Sequence, residues 1–301
     1  MNIIRKWSWL VLVVTVFSLL FMAGCSGGIS KGAQSGSNAL VAANAPLTIQ
    51  VLDVGQGDAI LIRAKDQVVL VDTGDVPARD KLVSMLKSQG ITTIDKLIIT
   101  HPHADHIGGV AAVFQQFTVK QIYDSGQKST SNLYKQYLIQ IQKKNIPFTV
   151  VSAGMTIDLG NEINLKVLAP EAPFIGGSEP DLNNNSIVAK LVYRNFSLLL
   201  TGDAENEAEE RMLKKDASAL KSTLLKSGHH GSRTSSSIAF LQAVTPEAAF
   251  ISVGANNDYH HPHPSTLKKY NDKKIDVYRT DTDGTLTVVS DGKAYTITKE
   301  R

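Results

Sequence analysis

The feature that most constrains this chain is the run THPHADHIGG at residues 100–109, which follows an apolar, strand-like segment. Three imidazoles and a carboxylate within six residues are not needed to stabilise a loop. Imidazole and carboxylate are, however, good ligands for zinc, iron or manganese. The two glycines that follow are expected to permit a tight backbone turn. The alternating spacing directs side chains toward two neighbouring points, so the run predicts a pair of metal ions.

The rest of the chain alternates short strands and helices. The segments LTIQVLDV, DAILIRA and QVVLVDTG are rich in β-branched residues and bounded by turns, which is typical of strands, and helices are expected near residues 80–89 and 107–117. Two groups of strands, each followed by helices, predict two sheets packed face to face with helices outside. With 301 residues and 43% apolar side chains, the chain can bury a large core, which excludes wholesale disorder and a small disulfide-held scaffold.

The N-terminal residues have the pattern of a secretory signal. Arg5 and Lys6 precede an apolar run over residues 7–23, and the single cysteine of the chain, Cys25, follows Met22-Ala23-Gly24. That ending resembles a bacterial lipobox, so we predict a lipoprotein signal peptide over residues 1–25, lipidation of Cys25 and a Gly/Ser/Ala-rich tether over residues 26–45. We therefore expect an extracytoplasmic, membrane-anchored bacterial protein. Secretion, or an uncleaved N-terminal helix near the roughly 17-residue limit for spanning a bilayer, are the alternatives.

Several further motifs follow one another in a fixed order after residue 45. They are LDVGQGDAILI, VDTG, THPHADHIGG, NNNSIV, LLLTGD, LKSGHHGSRTSS, HHPHPSTL and RTDTDGTL. This set resembles the metallo-β-lactamase-fold hydrolase superfamily, and within it the hydrolase domain of the ComEC-type competence proteins. The resemblance implies an α/β (α+β) fold, a four-layer αββα sandwich with metals at one edge between the sheets, formed as a single domain by residues 46–301. It does not extend to the membrane pore of that family, so we infer no DNA transport.

The resemblance also implies a ligand set for two divalent ions, zinc or manganese. The implied ligands are His101 and His103 for the first ion, Asp105 and His106 for the second, Asp203 between the two, and His229 or His230 as the last ligand of the second. Asp203 could instead be the N-cap of the helix that follows it. The residues alone do not decide between the adjacent histidines, and analogy with the strand-end histidine of the superfamily favours His229.

The first metal lacks an obvious third histidine, because no histidine lies between His106 and His229. Many members of the superfamily supply one from this part of the chain, which here reads DLNNNS at residues 181–186. The carbonyl of Asn184 or Asn185, or a water molecule, would complete the site, although both residues are equally typical of a turn. An oxygen-rich site of this kind would accept manganese as well as zinc.

Five other residues are candidates for supporting roles. Asp58 and Asp72 would orient ligand histidines or form turns. His261 and His263 would bind a substrate phosphate or donate a proton, or would be solvated histidines of a proline-rich loop. Ser232 would contact anionic oxygens of the substrate.

These patterns predict an extracytoplasmic metal-dependent hydrolase that cleaves phosphodiester bonds through a hydroxide bridging the two ions, with Asp105, Asp203 and His261 as catalytic residues. The substrate would be nucleic acid or a small or surface phosphodiester. A formal net charge of +3 gives no general electrostatic attraction to nucleic acid. Hydrolysis of a lactam, lactone or thioester, and a non-catalytic metal-dependent surface module, are the alternatives. No protein partner can be inferred.

Overall fold

The structure, a computed structural model, describes residues 45–176 and 181–301. The predicted signal peptide, Cys25 and nearly all of the predicted tether lie outside the described residues, so the boundaries of these segments stay predictions. Within the described residues, no helix is long and apolar enough to cross a membrane.

The described strands form two large sheets and a small one. In chain order they are β1 (Leu47–Val51), β2 (Ile60–Ala64), β3 (Gln67–Val71), β4 (Thr93–Ile94), β5 (Lys96–Ile99), β6 (Thr118–Val119), β7 (Ile122–Asp124), β8 (Phe148–Val150), β9 (Thr156–Asp158), β10 (Ile163–Ala169), β11 (Val188–Tyr193), β12 (Phe196–Leu200), β13 (Leu224–Lys226), β14 (Ala248–Ile251), β15 (Asp276–Arg279), β16 (Leu286–Ser290) and β17 (Tyr295–Lys299). The first sheet has the order β17-β16-β1-β2-β3-β5-β7-β8 and the second the order β15-β14-β13-β12-β11-β10-β9, while β4 pairs with β6.

Helices connect the strands on the outer faces of the sheets. In chain order the described α-helices are α1 (Arg79–Ser88), α2 (Ala104–Ile107), α3 (Val110–Gln116), α4 (Asn132–Lys144), α5 (Asn206–Asp216), α6 (Ile238–Val244), α7 (Pro264–Asp272) and α8 (Thr280–Asp283). Short 3-10 turns lie at Val76–Ala78 and Ala217–Leu220, and a turn with two left-handed residues lies at Gly228–Gly231.

Three groups of buried apolar side chains define the layers. In β2, Ile60 and Ile62 belong to the core between the two sheets, whereas Leu61, on the opposite face, packs with helices α1, α3 and α4. A third group, which includes Met212 and Phe240, packs helices α5–α7 on the outer face of the second sheet. Each sheet is covered on one face by the other sheet and on the opposite face by helices. The central strands therefore carry apolar side chains on both faces, and apolar and polar residues do not alternate along them. The predicted four-layer αββα sandwich is confirmed.

Parallel strands in both sheets bring several loops to one edge. Strands β3, β5, β7 and β8 run parallel in the first sheet, and β12 to β15 run parallel in the second. The carboxyl ends of parallel strands lie at the same edge, where α/β proteins bind ligands. A backbone hydrogen bond of 2.9 Å from Ile187 N–H to the Thr100 carbonyl joins the sheets there. The loops after β5, β12, β13 and β14 therefore face one another.

The glycine pair after the histidine run forms the expected turn, and close packing is what requires glycine at both positions. Gly108 and Gly109 have φ values of −57° and −83°, which any residue can adopt. However, a Cβ on Gly108 would lie 2.4 Å from the Val76 nitrogen, and a Cβ on Gly109 would lie 2.3 Å from the Thr73 carbonyl oxygen. The pair also separates α2 from α3, where the sequence predicts one helix over residues 107–117.

Candidate metal centre

The loop after β5 holds four of the predicted ligands at the edge between the sheets. His101 and His106 are fully buried, and their rings lie 4.1 Å apart between centroids. The Nε2 atom of His101 lies 3.0 Å from Nδ1 of the partly exposed His103. Helix α2 begins directly after His103 and carries Asp105 and His106 in its single turn. The loop therefore presents three imidazoles and a carboxylate to one small volume.

The loop is held close to the GQG turn between β1 and β2. The Asp58 N–H donates to the Asp105 carbonyl over 3.2 Å. Gly57 has a φ of +114°, and a Cβ there would lie 2.3 Å from the same carbonyl oxygen. Only glycine combines this backbone conformation with so close an approach. The GQG turn thus fixes the backbone at Asp105.

Asp203 enters the same volume from the second sheet, three residues after the end of β12. Its Oδ2 atom lies 3.2 Å from His106 Nε2, 3.4 Å from His230 Nε2, 3.8 Å from His101 Nε2 and 3.9 Å from His229 Nε2. The Asp203 N–H donates to the Ser186 hydroxyl over 3.2 Å. One carboxylate oxygen therefore faces four imidazole nitrogens, which is the position expected of a ligand shared by two ions.

The HHG loop after β13 places its two histidines differently. His230 is buried, donates its Nδ1–H to the Ser252 carbonyl over 2.9 Å, and has Nε2 3.1 Å from Asp105 Oδ2. His229 is partly exposed, and its Nδ1 lies 2.7 Å from Glu205 Oε1. The geometry therefore favours His230 over His229 as the last ligand of the second ion. Two adjacent residues in left-handed backbone conformation, at φ 46° and 53°, turn the rings apart.

The donor set fits divalent cations. One ligand atom from each of Asp105, His106, Asp203 and His230 lies within 4.8 Å of the others. His106 Nε2 and Asp203 Oδ1 are buried and have no hydrogen-bond partner. Buried polar atoms are rarely left in this state unless an ion or a ligand satisfies them. Imidazole with carboxylate is the mixture that zinc and manganese bind.

The charges of the cluster agree with this fit. Burial alone would lower the pKa of His106, but Asp203, Asp105 and Asp72 raise that pKa well above its ordinary value. Burial likewise opposes ionisation of Asp203, yet His230 and His106 hold the pKa of its carboxyl well below the usual range. Carboxylates therefore stay ionised around the point where the free ligand atoms converge, so the point attracts positive charge.

His101 has the opposite environment. Burial, followed by the neighbouring His106, lowers the pKa of His101 well below its ordinary value. Its imidazole is therefore neutral near pH 7, which is the form that coordinates a metal. The cluster is suited to a dinuclear site.

Comparison with known proteins agrees with this geometry. The family model described as the Metallo-beta-lactamase superfamily matches residues 52–255. The chain belongs to this superfamily. It is 32% identical over 256 residues to ComE operon protein 3 of Bacillus subtilis (strain 168), which covers 79% of this chain and 32% of that protein. It is 30% identical over 251 residues to Competence protein ComA of Neisseria gonorrhoeae, with 79% and 31% covered.

The resemblance to competence proteins is thereby confirmed, and the chain spans about a third of the length of these curated relatives. Among solved structures, it is similar to CmlA, a diiron beta-hydroxylase from Streptomyces venezuelae, with a TM-score of 0.56, 15% identity, and 82% of this chain and 54% of that chain covered. It is also similar to the metallo-beta-lactamase fold protein YhfI from Bacillus subtilis, with a TM-score of 0.55, 12% identity, and 80% and 99% covered. At these identities the two structures show the fold alone.

Two acidic residues support ligand histidines of the superfamily site. Asp72 Oδ2 lies 2.8 Å from His106 Nδ1, and both Asp72 oxygens accept from Thr100, one from its N–H and one from its hydroxyl. Asp58 Oδ1 lies 3.6 Å from His230 Nδ1, and its Oδ2 forms a buried ion pair of 2.8 Å with Lys226. Asp72 thus occupies Nδ1 of His106 and leaves Nε2 to face the cluster.

The two asparagines are engaged elsewhere, so the suggested amide ligand for the first ion finds no support. Asn184 Oδ1 accepts from the N–H groups of Glu205 and Ala208 at the start of α5. Asn185 Oδ1 accepts from the Ile175 N–H, and its amide donates to the Ile175 carbonyl. Both side chains fix loops near the site and do not face the metal ligands.

The remaining candidates lie around the rim. The His261 ring lies 5.4 Å from His229 and 6.4 Å from His230 between centroids. Burial, then the charges of His229 and His230, lower the pKa of His261 to about 4, so it is neutral at pH 7 and poorly suited to donate a proton. His263 Nδ1 accepts from the Arg233 N–H, and the Ser232 hydroxyl pairs with Thr234. The Ser232 N–H also donates to the His229 carbonyl over 2.8 Å, so Ser232 supports the HHG loop through its backbone.

Sequence reasoning missed two groups that orient histidines of the site. Glu205 binds Nδ1 of His229 and also accepts from the Thr234 hydroxyl over 2.7 Å. Its position two residues after Asp203 was the available signal. The Ser252 carbonyl, which fixes His230, is a backbone group after β14 and leaves no trace in the sequence pattern.

Proposed function

We propose that the protein hydrolyses phosphodiester bonds with the help of two divalent metal ions, zinc or manganese. The fold and the donor cluster are those of a metal-dependent hydrolase of the metallo-beta-lactamase superfamily. The observation that carries the proposal is Asp203 Oδ2, which lies within 3.8 Å of one ring nitrogen of each of His106, His230 and His101. Such a centre suits in-line displacement at phosphorus, because both the attacking and the leaving oxygen need stabilisation.

The names of several relatives support the choice of substrate. Besides the two competence proteins, the chain is 29% identical over 245 residues to Recombination protein 2 of Haemophilus influenzae. It is 28% identical over 111 residues, or 34% of this chain, to Ribonuclease Z of Bradyrhizobium diazoefficiens. The last two names, a recombination protein and a ribonuclease, refer to nucleic acids, whose backbone is a phosphodiester chain.

In this mechanism the chain binds and orients the reacting groups. Divalent ions, when bound, supply the acidity that ionises water near neutral pH and offset the charge that develops on phosphoryl oxygens. Asp105, His106, Asp203 and His230 would hold the second ion, and His101, His103 and Asp203 the first. Asp72 and the Ser252 carbonyl keep Nε2 of His106 and His230 directed at the cluster. Glu205 does the same for His229, whose Nε2 faces Asp203.

The test uses the full chain with added manganese or zinc. We expect cleavage of single-stranded DNA or of bis-p-nitrophenyl phosphate, and we expect Asp105→Ala to abolish it because this carboxylate lies 3.1 Å from His230 Nε2 within the cluster. Asp80→Asn, on the exposed face of α1, is the matched control. Equal turnover in Asp105→Ala would reveal a contaminating nuclease. If nitrocefin or a homoserine lactone is hydrolysed and phosphodiesters are not, the protein is a lactam or lactone hydrolase. If metal binds and no substrate is turned over, it is a non-catalytic module.

We also propose that the enzyme acts outside the cytoplasmic membrane, held by a lipid on Cys25. The proposal rests on the charged, apolar and small-residue pattern of residues 5–25. Radiolabelled palmitate should be incorporated into the full chain expressed in a bacterium, and Cys25→Ser should remove the label. An unlabelled wild-type chain that stays in the membrane would indicate an uncleaved helix instead.

A further inference from the structure

Three rings form a nearly parallel series that leads from the metal centre to the surface. The His230 and His261 rings lie 6.4 Å apart at 27°, and the His261 and Tyr259 rings lie 5.7 Å apart at 24°. Exposure rises along the series, from 1% at His230 through 8% at His261 to 63% at Tyr259. The separations lie within the range of about 4.5–7 Å in which aromatic rings stack with an offset.

The loop that carries the outer two rings is tied down by one asparagine. The Asn257 amide donates to the carbonyls of Gly254 and His261, over 2.9 and 2.7 Å, and its Oδ1 accepts from the His261 N–H over 3.0 Å. The Gly254 N–H in turn donates to Gln56 in the GQG turn over 3.2 Å. The loop is therefore anchored both to itself and to the turn that supports Asp105. Tyr259 is presented in a fixed place relative to the cluster.

One face of the Tyr259 ring rests on His261, and most of the remaining ring surface is open to solvent. Among the described residues, Tyr259 is the most exposed large apolar side chain. Leaving so much aromatic surface in water is unfavourable, since burial of apolar area is worth roughly 25 cal/mol per Å². The next member of the series would be a planar group that packs on the outer face.

We propose that Tyr259 is a stacking platform for a base of single-stranded nucleic acid whose phosphodiester lies at the metal centre. This inference rests on the proposed function and adds its substrate class. A nucleobase is the planar group that a phosphodiester substrate carries next to its phosphate, and aromatic side chains bind unpaired bases by stacking without sequence preference. Stacking also supplies affinity that does not depend on net charge, which suits a chain whose formal charge is only +3.

Binding and cleavage are measured separately. Fluorescence anisotropy follows the metal-loaded full chain with a labelled decathymidine whose phosphorothioate backbone resists hydrolysis, and with a decamer that keeps the sugar-phosphate chain but lacks all bases. Cleavage of an unmodified decathymidine is followed in parallel. The variants are Tyr259→Ala, the conservative Tyr259→Phe, and Phe148→Ala, which removes a 38% exposed aromatic ring from edge strand β8 as the matched control.

We expect Tyr259→Ala to weaken binding of decathymidine at least about fivefold, Tyr259→Phe to restore it, and Phe148→Ala to leave it unchanged. The base-free decamer should bind wild type and Tyr259→Ala equally weakly. Equal binding of the two decamers by wild type, or unchanged affinity in Tyr259→Ala, overturns the platform even if the unmodified strand is cleaved. A Tyr259-dependent preference for bases without cleavage of any strand upholds the platform and overturns the proposed hydrolysis.

Discussion

The two sheets contribute to the metal centre in different ways. The first sheet supplies His101, His103, Asp105 and His106 from one loop after β5. The second supplies one residue from each of two successive loops: Asp203 after β12 and His230 after β13. A contiguous cluster owes its geometry to a single short loop, whereas the scattered residues meet only because β12 and β13 are adjacent and parallel. We call the ligands from the loop after β5 the first half of the site, and the ligands from the loops after β12 and β13 the second half. The geometry of the first half depends on the local sequence, and that of the second half depends on the topology of the second sheet.

The halves are also linked behind the ligands. Asp58, whose N–H binds the Asp105 carbonyl of the first half, forms an ion pair with Lys226 at the end of β13, and both side chains are almost completely buried. Lys226 also donates to the Ser227 carbonyl over 2.9 Å. This pair ties the GQG turn to the strand that leads into the HHG loop.

Breaking that link should have the largest effect on stability. Asp58→Asn leaves the Lys226 ammonium buried without its counter-charge, so we expect the free energy of unfolding to fall by about 3–5 kcal/mol. Urea denaturation in metal-free buffer measures it. Asp272→Asn, which breaks the exposed pair with Lys268, should cost less than about 1 kcal/mol.

The double variant sharpens this result. Adding Lys226→Met to Asp58→Asn removes the uncompensated charge, so we expect it to recover at least half of the lost stability. If the double variant is as unstable as the single one, then the link between the halves depends on packing and not on the ion pair.

A second prediction concerns the first sheet alone. Asp124, at the end of β7, accepts from the Tyr137 hydroxyl over 3.0 Å, and burial raises its pKa from 3.8 to about 6. The folded state therefore binds this proton more tightly than the unfolded state, and ionisation destabilises the fold progressively between pH 4 and 6. The penalty is absent below about pH 4 and reaches about 3 kcal/mol above about pH 6.

Asp124→Asn removes the ionisation. Its stability relative to wild type should rise by up to about 3 kcal/mol between pH 4 and pH 7 and then stay level. Thermal and urea unfolding across this range measure the difference, with Asp66→Asn at an exposed position as the control. A difference that is independent of pH would mean that the pKa of Asp124 is the same in the folded and unfolded states.

A third, smaller effect is expected where an acidic residue orients a ligand. Asp72→Asn weakens the charge-assisted contact with His106 Nδ1, so we expect metal affinity to fall by about 10–100-fold, or about 1.4–2.7 kcal/mol, without loss of the fold. Calorimetric titration with manganese or zinc measures it, with Asp80→Asn as the control. Unchanged affinity would show that Thr100 and the loop backbone alone orient His106.

The contrast between the halves also explains what the sequence could predict. The strands, the four layers and the cluster over residues 101–106 follow from local hydrophobic patterns and from ligand types that lie close together in the chain. The local sequence does not predict which of His229 and His230 faces the other ligands. That choice depends on two left-handed residues and on a carbonyl supplied by the loop after β14. Spacing along a chain carries no signal for such a contact.

The asparagines show a related limit. Asn184 and Asn185 lie next to the site in space, but their amides bind backbone groups of the α5 start and of residue 175. An amide is equally suited to cap a helix, to close a turn or to bind a metal, so its role depends on which partner the fold brings near. Tyr259 was overlooked for the same reason, since its stacking on His261 is visible only in three dimensions.

The central claim is that both sheets together hold a pair of divalent ions, and metal stoichiometry tests it most directly. Elemental analysis of the manganese- or zinc-loaded full chain should give two ions for wild type and for His260→Ala, which changes an exposed histidine. His230→Ala should retain one ion, and Asp203→Ala neither, because its carboxylate faces the ligands of both. A wild type that binds no ion, or an Asp203→Ala variant that still binds two, would contradict the account.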